Sequence, residues 1–195
     1  MQTILNFDLG TFRFVEEYLM NPVTDRLFTF ITHLGDGGWL WICITLVMLL
    51  FPKTRRCGIA VGIALLCSEF IGNQFLKHLI ARSRPFLLEE WQGIFVYPGL
   101  VPMPSSYSFP SGHTASSVGS AMALLLCRKD KYGWATVVLA LLIGYSRIHV
   151  HVHYPTDVLA GILCGMLYAL IGWFIAKKLP HGRWEEWGFV KKHNC

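Results

Sequence analysis

Charged side chains are scarce. Asp, Glu, Lys and Arg make up 15% of the 195 residues, where a soluble domain carries about 25%. Hydrophobic residues reach 53% and mean hydropathy is +0.45, so an ordinary soluble surface is excluded and most of the surface should face lipid. Other absences narrow the field further. No internal repeat and no low-complexity linker divides the chain. No CxxC or zinc-like spacing links Cys43, Cys57, Cys67, Cys127, Cys164 and Cys195, several of which fall within apolar runs. They are expected to act as small hydrophobes in helices rather than as a disulfide framework. The first 20 residues mix apolar groups with Asp8, Arg13, Glu16 and Glu17, so no cleavable signal peptide is expected.

What is present is a series of five apolar stretches, at residues 38–51, 57–80, 112–127, 134–148 and 158–176. The second and fifth are long enough to cross the roughly 30 Å hydrocarbon core at about 1.5 Å per residue. The other three are short, and the charges punctuating them favour spans over buried core helices. Residues 3–19 and 22–34 have the pattern of two amphipathic helices lying in the membrane interface; the alternative is that residues 22–40 belong to a tilted first span. The expected fold is therefore all-α, an integral-membrane helical bundle of about five to six transmembrane helices behind N-terminal amphipathic helices. One membrane domain covers 1–195, with interfacial helices in 1–34, the bundle and active site in 38–177, and a cytoplasmic tail in 178–195.

The net charge of +5 is modest, and its distribution says more. Lys53, Arg55 and Arg56, then Arg128, Lys129 and Lys131, then Lys177, Lys178, Arg183, Lys191 and Lys192 fall on one face if every stretch spans. By the bias of Lys and Arg in short loops, that face is cytoplasmic. The outward face then holds Lys77, Arg82, Arg84 and Arg147, besides Arg13 and Arg26. Basic residues clustered where they should be rare need a second explanation.

Three segments on that outer face supply one. They are Lys77 to Arg84-Pro85, Pro110-Ser111-Gly112-His113, and Ser146-Arg147 through His153 to Asp157. Lys77, Arg84 and Arg147 can gather positive charge around one anion, the arginines through planar forks suited to phosphate oxygens. Ser111 stands at an N-cap position and Gly112 permits close backbone approach, so the helix start there offers N–H groups and a favourable dipole. His113 can exchange a proton. His153 lies four residues before Asp157, which can hold Nδ1–H and leave Nε2 as an attacking lone pair. Each piece has a plainer use alone: a snorkelling lysine, a helix start, or alternating His149, His151 and His153 as metal ligands in an extended segment. Together they describe phosphoryl transfer through a phosphohistidine. Glu69, Asn73 and Lys77 are four residues apart in turn, sharing one face of the second stretch, where Glu69 is expected to support the site.

The order and spacing of the three segments resemble the signature of the type-2 phosphatidic acid phosphatase superfamily, over residues 77–157 and without a departure. The resemblance implies a helical phosphatase needing neither metal nor cofactor. Lys77, Arg84, Ser111, Gly112 and Arg147 would bind phosphate, His153 would attack it, Asp157 would orient His153, and His113 would protonate the leaving oxygen. The family spacing selects His153 over His149 and His151. Small proteins of this layout resemble undecaprenyl-diphosphate phosphatases, the leading candidate activity. Phosphatidate or phosphatidylglycerophosphate hydrolysis is the alternative; a non-catalytic lipid-phosphate binder or transporter and a relative of the vanadate-dependent haloperoxidases are weaker ones. The implied partners are a lipid phosphate and the bilayer, with no nucleic acid, and the implied location is the cell membrane, multi-pass, with the site facing outward. The loop at 86–109, with Trp91, Phe95, Tyr97 and Tyr107, is a candidate lid or lipid entry wall. The tail at 179–195, with Trp184, Trp187 and Phe189, is a candidate for docking on the inner membrane surface.

Overall fold

A computed structural model describes residues 2–87 and 98–179, and among the described residues all regular structure is helical. Helix α1 (Gln2–Phe14) widens into a π-type turn over Val15–Leu19. Helix α2 (Pro22–His33) starts at a capping box, in which Asn21 Oδ1 accepts from the Val23 and Thr24 amides and Thr24 Oγ1 accepts from the Asn21 amide. Pro22 occupies the first turn, where a missing N–H costs nothing. Gly37 and Gly38, at φ +54° and +68°, turn the chain into α3 (Trp39–Leu50); the left-handed region is open to glycine without strain. Helix α4 (Arg55–Cys67) runs through a π-type stretch, Ser68–Leu76, into the single turn of α5 (Lys77–Ile80). Then come α6 (Gly112–Cys127), α7 (Lys131–His149), capped by Asp130, and α8 (Pro155–Lys178).

Helix α6 is the centre of the bundle, and its sequence explains why. Ala115, Ser117, Gly119, Ser120, Ala121 and Ala123 are all buried, and side chains this small let neighbouring backbones come close. Helix α8 exploits that with Gly161 and Gly165, four residues apart on one face. A Cβ on Gly165 would stand 2.8 Å from the Ala115 carbonyl and 2.9 Å from the Gly119 amide nitrogen. The same approach brings the first turn of α8 beside the start of α6, where the Ser111 amide donates to the Asp157 carbonyl at 3.1 Å. Trp41 of α3, fully buried, ties in by donating Nε1–H to Ser117 Oγ at 2.9 Å. Large apolar side chains such as Leu46, Leu66, Phe70, Leu163 and Leu167 point outward instead. Small inside and large apolar outside is the arrangement of a bundle solvated by lipid tails.

Helix positions agree with the apolar stretches to within a few residues. The segment Arg55–Leu87, taken through its bends, and α8 are each long and apolar enough to cross a membrane. The pair Pro22–His33 and Asp36–Leu50, bent by 44°, adds a third if it is one broken span; this is the alternative in which residues 22–40 belong to the first span. Helices α6 and α7 do not meet that description by themselves. Five to six spans are therefore not established by helix length and composition; α6, at 16 residues, is short for a span.

Replacing Gly165 by Leu is expected to force α8 off α6, with an overpacking cost of about 1–3 kcal/mol. Thermal unfolding in detergent checks this: the variant should melt well below the native protein, while Leu163→Val on the outward face should not.

Candidate active site

The three sequence segments meet at one end of the bundle, at the starts of α6 and α8 and the ends of α5 and α7. Arg84 is almost fully buried and held from several sides. Its Nε donates to the Ser106 carbonyl at 2.7 Å, Nη1 to the Val152 carbonyl at 2.7 Å, and Nη2 to Ser106 Oγ at 3.1 Å. Arg147, also buried, donates Nη1–H to Thr32 Oγ1 of α2 at 2.6 Å. Lys77 lies in the first turn of α5 and lines a cavity of about 880 Å³ together with Gly112 and His113. Ser111 occupies the N-cap position of α6, as expected, but makes no capping bond; its Oγ accepts from Thr114 Oγ1 at 2.9 Å. The first N–H groups of α6 are thus left for another acceptor, as in anion sites at helix starts.

His153 sits in the turn between α7 and α8, a turn closed by the Val152 and His153 amides donating to the Arg147 carbonyl. Its Nε2 stands 3.3 Å from Arg84 Nη1. A guanidinium can only donate, so Nε2 carries the lone pair and the proton resides on Nδ1. On the Nδ1 side are Ser108 Oγ and Asp157 Oδ2, each at 3.5 Å, and Ser108 itself donates to Asp157. The carboxylate therefore faces His153 partly through a hydroxyl. Burial first, then the positive charges of Arg84, Arg147 and Lys77 and the neighbouring His113, hold the His153 imidazole well below the ordinary histidine value. Both effects disfavour the charged ring. The result is a neutral imidazole with an available Nε2 lone pair.

The other two histidines of the run have different surroundings. His149 ends α7 and pairs through Nε2 with Asp25 Oδ1 at 2.9 Å. His151, at φ +54°, turns away to stack edge-on against Phe12. The segment is a helix end and a turn rather than an extended strand, so its alternation does not put the three on one strand face. Among the described residues, no three His, Cys, Asp or Glu side chains are grouped to hold a metal ion. Glu69 accepts from Asn73 Nδ2 at 2.9 Å and from Gln74 Nε2 at 2.8 Å. Asn73 in turn packs where a Gly112 side chain would be, its Oδ1 2.6 Å from that ideal Cβ, so any larger residue there would have to displace the Asn73 side chain. Of the loop at 86–109, Tyr107 packs edge-on against His78, whereas Trp91, Phe95 and Tyr97 lie outside the described residues, as do Trp184, Trp187 and Phe189.

Four residues of the cluster carry no motif signal. Asp8 of α1 is fully buried and accepts from Arg82 Nη2 at 2.8 Å, from the Thr156 amide at 3.0 Å and from Thr156 Oγ1 at 2.8 Å. Arg82 bridges it to Asp157 Oδ1 at 2.6 Å and lies over the Tyr154 ring at 3.7 Å. Ser108 bonds Asp157 as described, and Asp36 accepts from His113. The clustering of Arg82 with other outer-face cations is the only sequence clue to any of them. An isolated acid in an amphipathic segment resembles a solvated one.

The model of the PAP2 superfamily matches residues 57–180. An undecaprenyl-diphosphatase of Sulfolobus acidocaldarius is 34% identical over 164 residues, covering 83% of this chain and 74% of that protein. A lipid A 4'-phosphatase of Porphyromonas gingivalis is 27% identical, over 85% of this chain and 70% of its own. The crystal structure of a transmembrane PAP2-type phosphatidylglycerolphosphate phosphatase from Bacillus subtilis superposes with a TM-score of 0.70 at 25% identity, covering 92% and 89% of the two chains. With the three segments converging at the ends of α5, α6 and α7 and the family model spanning α4 to α8, the chain belongs to the PAP2 superfamily.

Proposed function

We propose that this membrane lipid phosphatase cleaves a lipid phosphomonoester or diphosphate through a phosphohistidine on His153, with undecaprenyl diphosphate the leading substrate. The observation that carries the reading is His153 itself: buried, neutral, its Nε2 lone pair turned to Arg84 and its Nδ1 side turned to Ser108 and Asp157. In the first step Nε2 forms a bond to phosphorus, and the bond from phosphorus to the leaving oxygen breaks. His113 delivers a proton to that oxygen. In the second step His113 takes a proton from water, the water oxygen attacks phosphorus, and the N–P bond breaks to release phosphate and restore neutral His153. Lys77, Arg84, Arg147, the Ser111 hydroxyl and the Gly112 amide hold the phosphoryl oxygens, where charge shifts during transfer.

Undecaprenyl diphosphate is favoured by the named activity of the Sulfolobus relative and by the proposed orientation. Phosphatidate and phosphatidylglycerophosphate are the alternatives, the second supported by the Bacillus structure. The side chains around His153 address phosphate and not the tail, so they do not choose among these. Helix α8 supports this orientation: its start carries Asp157 and the site, while Arg56 Nη2 binds the Leu179 carbonyl just beyond its other end. Twenty-four residues separate the two by about 36 Å, so the site and the basic residues Arg55, Arg56, Lys177 and Lys178 lie at opposite ends of this helix. A cytoplasmic basic face puts the site outward in a multi-pass protein.

In detergent with chelator, the native chain is expected to release phosphate from undecaprenyl diphosphate faster than from phosphatidate or phosphatidylglycerophosphate. His153→Ala should lower release by on the order of a thousandfold or more, and His113→Ala by on the order of 10²- to 10⁴-fold. Undiminished release from His153→Ala would remove the nucleophile, and release only on adding a metal would contradict the metal-free reading. A second measurement uses pH. The His153 value is lowered by burial and by neighbouring cations, so the acid limb of kcat/KM set by this group should lie below the ordinary value near 6.5. Arg84→Gln removes one of those cations and lets the imidazole protonate more easily, so on the same substrate that limb should move to higher pH.

A further inference from the structure

The connection between α2 and α3 lies outside the matched family region, yet it reaches the acid–base histidine. Asp36 Oδ1 stands 2.8 Å from His113 Nε2, and its second oxygen, Oδ2, stands 2.7 Å from His33 Nδ1. His33 and Asp36 have side chains about half exposed (53% and 50%), whereas that of His113 is 21% exposed. The three therefore form a line from the surface to the cavity. Gly35, one residue earlier, makes the seat for the ring. A Cβ there would stand 2.7 Å from His113 Cδ2 and 2.7 Å from Ile143 Cγ2. The Cδ2–Nε2 edge of the imidazole is thus packed against Gly35 and hydrogen-bonded to Asp36, and the ring lines the cavity with Lys77 and Gly112.

We infer that Asp36 is a positioning residue for His113: it holds the Nε2–H tautomer and turns Nδ1 towards the phosphate as the atom that gives and takes the proton. The role assigned to the reacting nitrogen rests on the phosphatase reading above; the hydrogen bond and the ring seat do not. A carboxylate can only accept, so His113 Nε2 must carry hydrogen in either protonation state of the ring. That leaves Nδ1 as the site where the proton is gained and lost. The charged groups facing His113 are Asp36 from the α2–α3 connection, with His33 behind it, Lys77 from α5 and Arg147 from α7, and His153 lies close as well. Two cations oppose an imidazolium at this position and one carboxylate favours it. Asp36 is the negatively charged group bonded to the ring, so it does for His113 what a carboxylate does in other histidine–carboxylate pairs. The arrangement also links the partly exposed ring through Asp36 to His33 at the surface.

The test joins kinetics to a spectroscopic readout on full-length protein in detergent. Asp36→Asn keeps the shape of the half-exposed side chain but can present an amide donor to Nε2. With whichever of the three lipids the native chain hydrolyses fastest, kcat should fall about 10- to 100-fold, within the usual contribution of a general acid–base group, while KM stays within about twofold of native. Selective ¹⁵N-histidine labelling, with the His113 signals assigned from His113→Gln, should show protonated Nε2 and a bare Nδ1 in the neutral native ring. In Asp36→Asn that pattern should be lost or reversed. Asp36→Glu should recover part of kcat and part of the pattern. An unchanged ¹⁵N pattern in Asp36→Asn overturns the inference, whatever happens to the rate; so does a kcat within twofold of native. If the native protein hydrolyses no lipid phosphate but the ¹⁵N pattern depends on Asp36 as described, the positioning of the ring stands and the phosphatase reading fails.

Discussion

The buried carboxylate of Asp157 organises this end of the molecule. It accepts from Arg82 on one oxygen and from Ser108 and the Tyr154 amide on the other, and it faces His153 Nδ1. These partners come from the end of the α4–α5 segment, the chain before α6, and the turn before α8. An unpaired carboxylate in such a position would be costly to bury, so the partners have to arrive together. Arg82 then needs a counter-charge of its own, and the fully buried Asp8 of α1 supplies it. Removing one member of a buried ion pair generally costs about 3–5 kcal/mol because a charge is left behind. The N-terminal helix is thereby part of the site's support although the family signature begins far downstream.

Around this anchor the site divides its charges. Carboxylates lie beside the two histidines, Asp157 at His153 and Asp36 at His113, while Lys77, Arg84 and Arg147 are the cations whose charge His153 feels. Burial first, and then these cations, disfavour the charged form of His153, which is what the proposed nucleophile requires. The packing that permits this is backbone against backbone: Gly161 and Gly165 bring α8 onto α6 so that Ser111 and Asp157 are hydrogen-bonded neighbours.

Much of the architecture was legible in the sequence because it depends on local rules. Apolar stretches set the helices, and the spacing of Lys77, Arg84, Ser111, Gly112, His113, Arg147, His153 and Asp157 carries the family resemblance. The structure draws these residues into one region at the ends of their helices. What sequence could not supply depends on distant parts of the chain. Asp8 and Asp36 come from segments whose pattern is that of amphipathic or connecting chain, and Ser108 is one of several serines before α6. The number of membrane spans was also beyond it, since α3 and α6 are short helices of 12 and 16 residues. The alternating histidines have a period of two that fits a strand, but His149 belongs to a helix end and His151 to a turn.

The central claim is a covalent phosphate on His153. It is tested most directly by mixing His113→Gln, in which breakdown of the intermediate is slowed, with lipid diphosphate, quenching in alkali within the first turnover, and sequencing the phosphopeptides by mass spectrometry. The account predicts phosphate that survives alkali, is lost in acid, and maps to the imidazole of His153. Phosphate on another residue, or single-turnover release of phosphate with no phosphorylated histidine at any time point, would contradict it.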